Sequence, residues 1–131
     1  MRYLGVDYGL KKVGLAISEG QIASPLKVLD ISSLNDAISK ITSIIKKQEI
    51  ERVIVGVPES GEAKSAVRKF ISKLKTNLET KNVSIIEADE TLSSAGAKDL
   101  MIDLGLSKSA REKEDAYSAV IILQNFLDSI A

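Results

Sequence analysis

Four acidic residues stand where apolar stretches of this sequence begin or end, and acids in such places can carry chemistry. Asp7 follows the run "RYLGV", Asp89 and Glu90 follow "NVSIIEA", and Asp115 opens the apolar tail. Each also has an ordinary structural explanation, since acids form turns, begin helices and complement the positive end of a helix dipole. Three or more carboxylates at one place, however, repel each other unless a cation lies between them. A cluster of these acids would therefore be a divalent-metal site.

The residues that are missing narrow the chemistry further. The chain contains no Cys and no His, which excludes disulfides, thiolate nucleophiles, imidazole bases and Cys/His zinc sites. Carboxylates, hydroxyls, Lys, Arg and a metal bound through oxygen remain, and oxygen ligands favour Mg²⁺ or Mn²⁺. Two such ions about 4 Å apart are the usual means of phosphodiester hydrolysis.

The elements that must position these acids begin with three strands. "RYLGVD" predicts a strand, a tight turn follows over Tyr8–Lys11, and "KVGLAIS" predicts a second strand. A third strand is expected over Ile22–Leu29, which gives an antiparallel meander. Alternation divides the second strand into an apolar face of Val13, Leu15 and Ile17 and a face of small residues, Gly14, Ala16 and Ser18.

The pattern then changes to alternating helices and strands. "SLNDAISKITSIIKKQ" has an apolar stripe at helical spacing, and "RVIVGV" suits a strand covered on both faces. A helix is expected over Ala63–Leu78, with a buried stripe of Val67, Phe70, Ile71 and Leu74. "NVSIIEA" predicts a fifth strand and "SSAGAKDLMIDLG" a shorter helix. The tail "EDAYSAVIILQNFLDSI" predicts a last helix with a buried stripe of Ala116, Ala119, Val120, Leu123 and Leu127.

This order predicts an α/β fold with a five-stranded mixed sheet, in which a three-strand meander is joined by two parallel strands and flanked by helices. Right-handed crossovers make the strands after each helix parallel to the first strand. The carboxyl ends that carry Asp7, "GVPES" and "ADE" then open on one edge, where ligands of open α/β sheets bind. The last helix could lie on the small face of the second strand, beside Gly5 and Asp7.

Composition places the chain among ordinary globular proteins. A length of 131 residues and an apolar fraction of 44% suit one domain over 1–131. No apolar stretch approaches the ~18 residues of a membrane span, and the first residues lack a secretory signal's apolar core. We therefore expect a cytoplasmic protein without a membrane partner.

The positively charged residues are concentrated in a few stretches of the sequence, although the net charge of the chain is zero. The stretches "KSAVRKFISKLKTNLETK" and "LSKSAREKED" are rich in Lys and Arg, and Lys11 and Lys12 lie near Asp7. Taken singly, each run is more simply a solvated surface. As a set they are the candidates for contacts with nucleic acid: Lys11, Lys12, Lys64, Arg68, Arg111 and Lys113.

Four motifs, taken in order, resemble one family. "MRYLGVDYGLKKVGLAIS", "VIVGVP", "DETLSSAGA" and "EDAYSAVIILQNFL" follow the order and approximate spacing of the YqgF-type (RuvX-like) family, over nearly the whole chain. That family is described as Holliday junction resolvases or pre-16S rRNA nucleases. The resemblance implies an RNase H-like fold, use of Mg²⁺ or Mn²⁺, and trimming of the 5′ end of the 16S ribosomal RNA precursor.

The resemblance also implies a catalytic and metal-binding triad, whose members map onto Asp7, Glu90 and Asp115. Three departures accompany it. Thr91 stands where the family usually has Arg, Glu19 stands where Asp is common, and the loop after Pro58 is shorter than usual. The triad is intact, so the departures concern substrate affinity and choice more than the chemistry.

The leading hypothesis is a metal-dependent endonuclease acting on structured RNA as a monomer or homodimer. Resolution of branched DNA by a symmetric dimer is the close alternative. A non-catalytic nucleic-acid or protein-binding module is the alternative of another class. A phosphate-binding ATPase half of the actin or sugar-kinase type also has D-x-G in its first hairpin, but it needs two like domains, and the chain has room for one.

Overall fold

A five-stranded sheet lies between two helical layers in the computed structural model, which describes residues 1–89 and 114–131 and, at 114 and 115, the backbone alone. The predicted helix within 93–105 falls outside the described residues. The elements, in chain order, are β1 (Tyr3–Tyr8), β2 (Lys12–Ser18), β3 (Ser24–Asp30), α1 (Leu34–Lys47), β4 (Arg52–Val57), α2 (Gly61–Leu78), β5 (Ser84–Asp89) and α3 (Glu114–Ile130).

The strands have the order β3-β2-β1-β4-β5. The pairs β1–β2 and β2–β3 are antiparallel, whereas β1–β4 and β4–β5 are parallel. This arrangement confirms the predicted mixed sheet, in which a meander is extended by two parallel strands. The carboxyl ends of β1, β4 and β5 consequently share one edge, which we call the carboxyl edge.

The larger core lies on one face of the sheet, under α1 and α2. Leu4 and Val6 of β1 are fully buried there, as is Phe70 of α2. Helix α1 begins at Ser33, whose hydroxyl accepts a hydrogen bond from the Asp36 amide at 3.0 Å, while the Asp36 carboxylate accepts one from the Ser32 amide. These bonds satisfy amides that a helix start leaves without partners.

The smaller core lies on the opposite face, under α3. Buried Ala119 and Leu123 of α3 lie over β1 and β2, as the small face of β2 predicts. Gly5 allows this close approach, since a Cβ there would lie 2.8 Å from the Leu123 Cβ and 2.9 Å from the Ala119 carbonyl oxygen. The tail helix therefore lies where the sequence predicts it, beside Gly5.

The boundaries differ from the predictions by one or two residues in places. Strand β1 continues through Tyr8, β3 begins at Ser24, and α2 begins at Gly61. The predicted stripes of α1 and α2 are buried or packed against the larger core. None of the helices within 1–89 and 114–131 has both the length and the hydropathy needed to cross a bilayer.

Candidate active site

Asp7 lies near the end of β1, at the carboxyl edge and on the face covered by α3. Its cross-strand partner on β2 is Gly14. On the other side, Val6 pairs with Val55 and Gly56 pairs with Ala88, so Gly56 and Ala88 extend the same row across β4 and β5. The neighbours of Asp7 on this face are thus small, which leaves room above the sheet for a ligand.

A tightly bonded hairpin turn between β1 and β2 follows closely on Asp7. The Gly9 amide donates to the Lys12 carbonyl oxygen at 3.0 Å, and the Ile31 amide donates to the Lys11 carbonyl oxygen at 2.9 Å. A Cβ on Gly9 would lie 2.7 Å from the Lys12 oxygen, so the turn requires glycine. The turn that the sequence suggests at Asp7 is real, and it fixes the strand end that carries the acid.

The backbone of Asp115 reaches the level of Asp7 on the same face. Helix α3 runs antiparallel to β1, because the Phe126 ring lies 6.1 Å from that of Tyr3 while Ala119 lies over Gly5. Asp7 lies two residues beyond Gly5, which is about 6.6 Å along the strand. Asp115 lies four residues before Ala119, which is about 6 Å along the helix in the same direction. The first turn of α3 is therefore directed at the end of β1.

Strand alternation determines which face of the sheet carries Asp89, the last residue of β5. Glu87 forms an ion pair with Arg68 of α2, whereas Ala88 packs in the smaller core under α3. Asp89, the next residue, is consequently on the α2 side of the sheet, opposite to the face of Asp7. Glu90 lies outside the described residues, as do Arg111 and Lys113.

Gln124 attaches α3 to the β2–β3 hairpin at the other end of the sheet. Its side-chain oxygen accepts from the Ala23 amide at 2.9 Å, and its side-chain nitrogen donates to the Gln21 carbonyl oxygen at 2.9 Å. These bonds help to position the helix that carries Asp115. Sequence reasoning missed Gln124, since its partners are about a hundred residues away in the chain.

Of the predicted basic residues within the described ranges, three lie at or near the carboxyl edge and one lies farther from it. Lys11 and Lys12 are exposed in the hairpin at the carboxyl edge. Lys64 lies in the first turns of α2, near the same edge, with its Nζ 3.5 Å from the Glu59 carbonyl oxygen. Arg68 lies farther along α2 and pairs with Glu87 at 3.3 Å, both side chains remaining substantially exposed.

A groove of about 850 Å³ opens at the same edge on the α1/α2 side, and sequence reasoning missed it. Its lining includes Tyr8, whose ring stacks on that of Phe70 with centroids 4.5 Å apart. Burial raises the pKa of the Tyr8 phenol, so the group stays protonated at neutral pH. The exposed apolar Leu10 in a turn is the sequence signal that could have indicated this groove.

Solved structures of resolvases share this fold. RuvC of T. thermophilus in complex with a Holliday junction substrate matches with a TM-score of 0.67 at 19% identity, over 98% of this chain and 94% of that one. The fowlpox virus resolvase with Holliday junction DNA gives a TM-score of 0.71 at 16% identity, over 99% of both chains. The chain therefore has an RNase H-like fold.

Sequence relatives place the chain more narrowly. A protein of Sulfurihydrogenibium sp. (strain YO3AOP1), named "Putative pre-16S rRNA nuclease", is 34% identical over 99% of this chain and 92% of its own length. A relative of the same name from Thermoanaerobacter pseudethanolicus is 36% identical over 98% of this chain and 97% of its own length.

Fold and relatives together define a nuclease, a hydrolase of phosphodiester bonds on an RNase H-like scaffold. Residues 1–129 match the family described as "RuvX: Holliday junction resolvase". The chain belongs to the RuvX family.

Proposed function

We propose that this nuclease cleaves structured RNA, in the maturation of the 5′ end of the 16S rRNA precursor, with Asp7, Glu90 and Asp115 as its catalytic, metal-binding acids. The observation that carries the proposal is the antiparallel packing of α3 on β1 over Gly5, which directs the first turn of α3, with Asp115, towards the strand end that carries Asp7. Glu90, which lies outside the described residues, is included because the family resemblance maps the third acid of the triad onto it.

The donor chemistry fits a hard divalent cation. The proposed ligands are carboxylates, the chain has no His or Cys, and the row of small residues around Asp7 leaves space for an ion and a phosphate. Mg²⁺ and Mn²⁺ prefer such oxygen ligands. When bound, the cation would activate water and stabilise the leaving oxygen of the phosphodiester.

The chain's own residues would do the positioning. The glycine turn keeps Asp7 at the strand end, and the packing of α3 on Gly5 sets the height of Asp115 above the sheet. Lys11, Lys12 and Lys64, near the same edge, would bind backbone phosphates on either side of the cleaved bond. Arg68, Arg111 and Lys113 are proposed for the same role farther along the strand.

Branched DNA is the second candidate substrate. The family description names Holliday junction resolvase, whereas the two sequence relatives described above are named for pre-16S rRNA. Junction resolution needs two symmetric cuts and hence a homodimer, while a single cut in RNA needs only a monomer. Cleavage of a precursor rRNA fragment and of a four-way DNA junction, assayed side by side in Mg²⁺ and Mn²⁺, separates the two substrates.

Asp7→Asn is expected to reduce Mn²⁺-dependent cleavage to background without unfolding the protein, because the amide keeps the shape but not the charge of a ligand. Asp128→Asn is the matched control in the last turns of α3, where the new amide oxygen can still accept from Gln124. Cleavage of labelled precursor RNA is the measurement. Full activity in Asp7→Asn would contradict the role proposed for Asp7, whereas absence of metal-dependent activity in the wild type would favour the non-catalytic binding module.

A further inference from the structure

The groove on the α1/α2 side of the carboxyl edge is a feature that the proposed chemistry leaves unused. It is bounded by the end of β1, the hairpin turn and the first turns of α1 and α2. Its lining includes Tyr8, Leu10, Ser33, Glu62, Ser65 and Lys69. Its volume, about 850 Å³, lies within the range of small-molecule sites, ~300–1,000 Å³.

An aromatic and aliphatic surface forms part of the groove and is held rigidly. Phe70, which is fully buried, covers one face of the Tyr8 ring with an interplanar angle of 14°. Leu10 beside it is 75% exposed, although turns ordinarily carry polar residues. Leu10 gains its interest from its position beside the Tyr8 ring, where the two side chains line the same groove.

The charges around the groove suit an anionic chain. Lys69 lines it, and Lys11 and Lys12 lie in the adjoining hairpin. Glu62 is the acidic residue in the lining. Hydroxyls of Ser33 and Ser65 add donors and acceptors at the rim. Apolar platforms flanked by lysines are typical of single-stranded nucleic-acid sites, which combine base stacking with phosphate contacts.

The groove is continuous with the proposed catalytic edge. Tyr8 follows Asp7 directly in β1, and the two side chains are on opposite faces of the same strand end. A strand crossing this edge could present a phosphate on the Asp7 side while an adjacent nucleotide enters the groove. Double-stranded nucleic acid cannot do this, because its bases are paired and stacked.

We propose that this groove binds an unpaired base of the substrate strand, next to the phosphodiester that is cleaved. The base stacks on the Tyr8–Leu10 surface and Lys69 contacts the phosphate beside it. The inference rests on the proposed nuclease function and deepens it, since it assigns the substrate a single-stranded segment at the cleavage site.

Binding without cleavage tests the groove directly. Fluorescence anisotropy in EDTA would measure the affinity of the full chain for a labelled single-stranded RNA, for a blunt duplex of the same sequence, and for an abasic strand of the same length and charge. The wild type is expected to bind the single strand at least about fivefold more tightly than the abasic strand, which is the lower end of one stacked base.

Two variants remove the groove in different ways. Leu10→Ser deletes the exposed apolar surface, and Ser65→Leu narrows the space with a non-aromatic side chain from an exposed helix position. Both should weaken single-strand binding by about fivefold or more and leave duplex binding within about twofold. Ile22→Ser is the matched control, since Ile22 is 73% exposed in the β2–β3 hairpin, at the end of the sheet away from the groove. It should change neither affinity.

The results separate this inference from the proposed function. Equal binding of the normal and abasic strands, or wild-type affinity in both groove variants, would overturn the groove proposal even if Asp7→Asn abolishes cleavage. Weakened single-strand binding in the groove variants would uphold it even if Asp7→Asn retains cleavage and the catalytic assignment fails. Thermal unfolding of each variant shows that an affinity change does not come from misfolding.

Discussion

At the scale of single residues, Glu49 shows how α1 ends without the usual glycine. It has a φ of 55°, and it is the non-glycine residue with positive φ among residues 1–89 and 114–131. The Ile50 amide donates to the Ile45 carbonyl oxygen at 3.0 Å, and the Glu49 amide donates to that of Lys46 at 3.3 Å. These are the two bonds of a Schellman motif, which favours glycine at this position. Backbone strain is therefore concentrated at Glu49.

Replacing Glu49 with glycine is expected to stabilise the protein by about 0.5–1 kcal/mol. The left-handed conformation destabilises a residue with a Cβ by roughly 1–2 kcal/mol, and glycine removes this strain. Glycine also loses more conformational entropy on folding, which offsets part of the stabilisation. Urea unfolding, followed by circular dichroism, measures the difference from the wild type.

Lys46→Gly is the control for Glu49→Gly, because Lys46 is exposed in the last turn of the same helix but has helical geometry. It should destabilise by about 1 kcal/mol, the usual cost of glycine in a helix. A loss of stability in both variants would mean that the positive φ at Glu49 is not a source of strain.

At the scale of elements, the contact between α3 and β1 determines where the first turn of α3 lies. Gly5 is the closest point of that contact, and Ala16 of β2 lies beside it, 3.5 Å from where a Gly5 Cβ would be. The atoms that a Cβ would meet are the Leu123 Cβ and a backbone oxygen, neither of which is the end of a flexible side chain. The helix as a whole must move if Gly5 acquires a side chain.

Gly5→Ala is expected to destabilise the protein by about 1–3 kcal/mol, the range for overpacking a close-packed interior. It should also reduce cleavage, because the displaced helix carries Asp115 away from its level beside Asp7. Thermal unfolding and the precursor RNA assay, run at a temperature where the variant is folded, measure the two effects.

Gly20→Ala is the matched control for Gly5→Ala, because a Cβ on Gly20 would meet nothing within 4 Å. Its stability and activity should stay close to those of the wild type. Normal cleavage by folded Gly5→Ala would contradict the idea that the packing of α3 positions the site.

The elements could be predicted well because their apolar patterns are local. The alternation in β2 gives its two faces correctly, and the stripe over Val67, Phe70 and Ile71 gives the buried side of α2. The start of β3 was placed at Ile22 rather than Ser24, since the bonds from Gln124 that fix this hairpin come from the far end of the chain. The groove beside Tyr8 was missed for the same reason: it forms only when three separate segments meet.

The candidate site could be predicted only in part. Parallel β1, β4 and β5 bring their carboxyl ends to one edge as expected. Sequence alone left Asp89 and Glu90 as alternatives until family resemblance favoured Glu90. The ion pair of Glu87 with Arg68 indicates only that Asp89, two residues further along β5, is on the α2 face of the sheet. The assignment of the acidic triad remains a prediction.

At the scale of the whole molecule, charge is balanced overall but unevenly distributed. A net charge of zero provides no general attraction to nucleic acid. Binding must then depend on local groups, namely the acids that would hold a cation and the lysines around the carboxyl edge. Such an arrangement couples folding to metal binding, because a cation that binds only the folded chain shifts the unfolding equilibrium towards the folded state.

Mn²⁺ is accordingly expected to raise the melting temperature of the wild type by several degrees. A ligand at a hundred times its dissociation constant stabilises the folded state by about 2.7 kcal/mol. Asp7→Asn should lose most of this shift. Glu79→Gln removes an exposed acid at the C-terminal end of α2, and this variant should show the full shift in melting temperature. Differential scanning calorimetry over a Mn²⁺ titration measures these shifts, and an equal shift in wild type and Asp7→Asn would show that the bound metal is elsewhere.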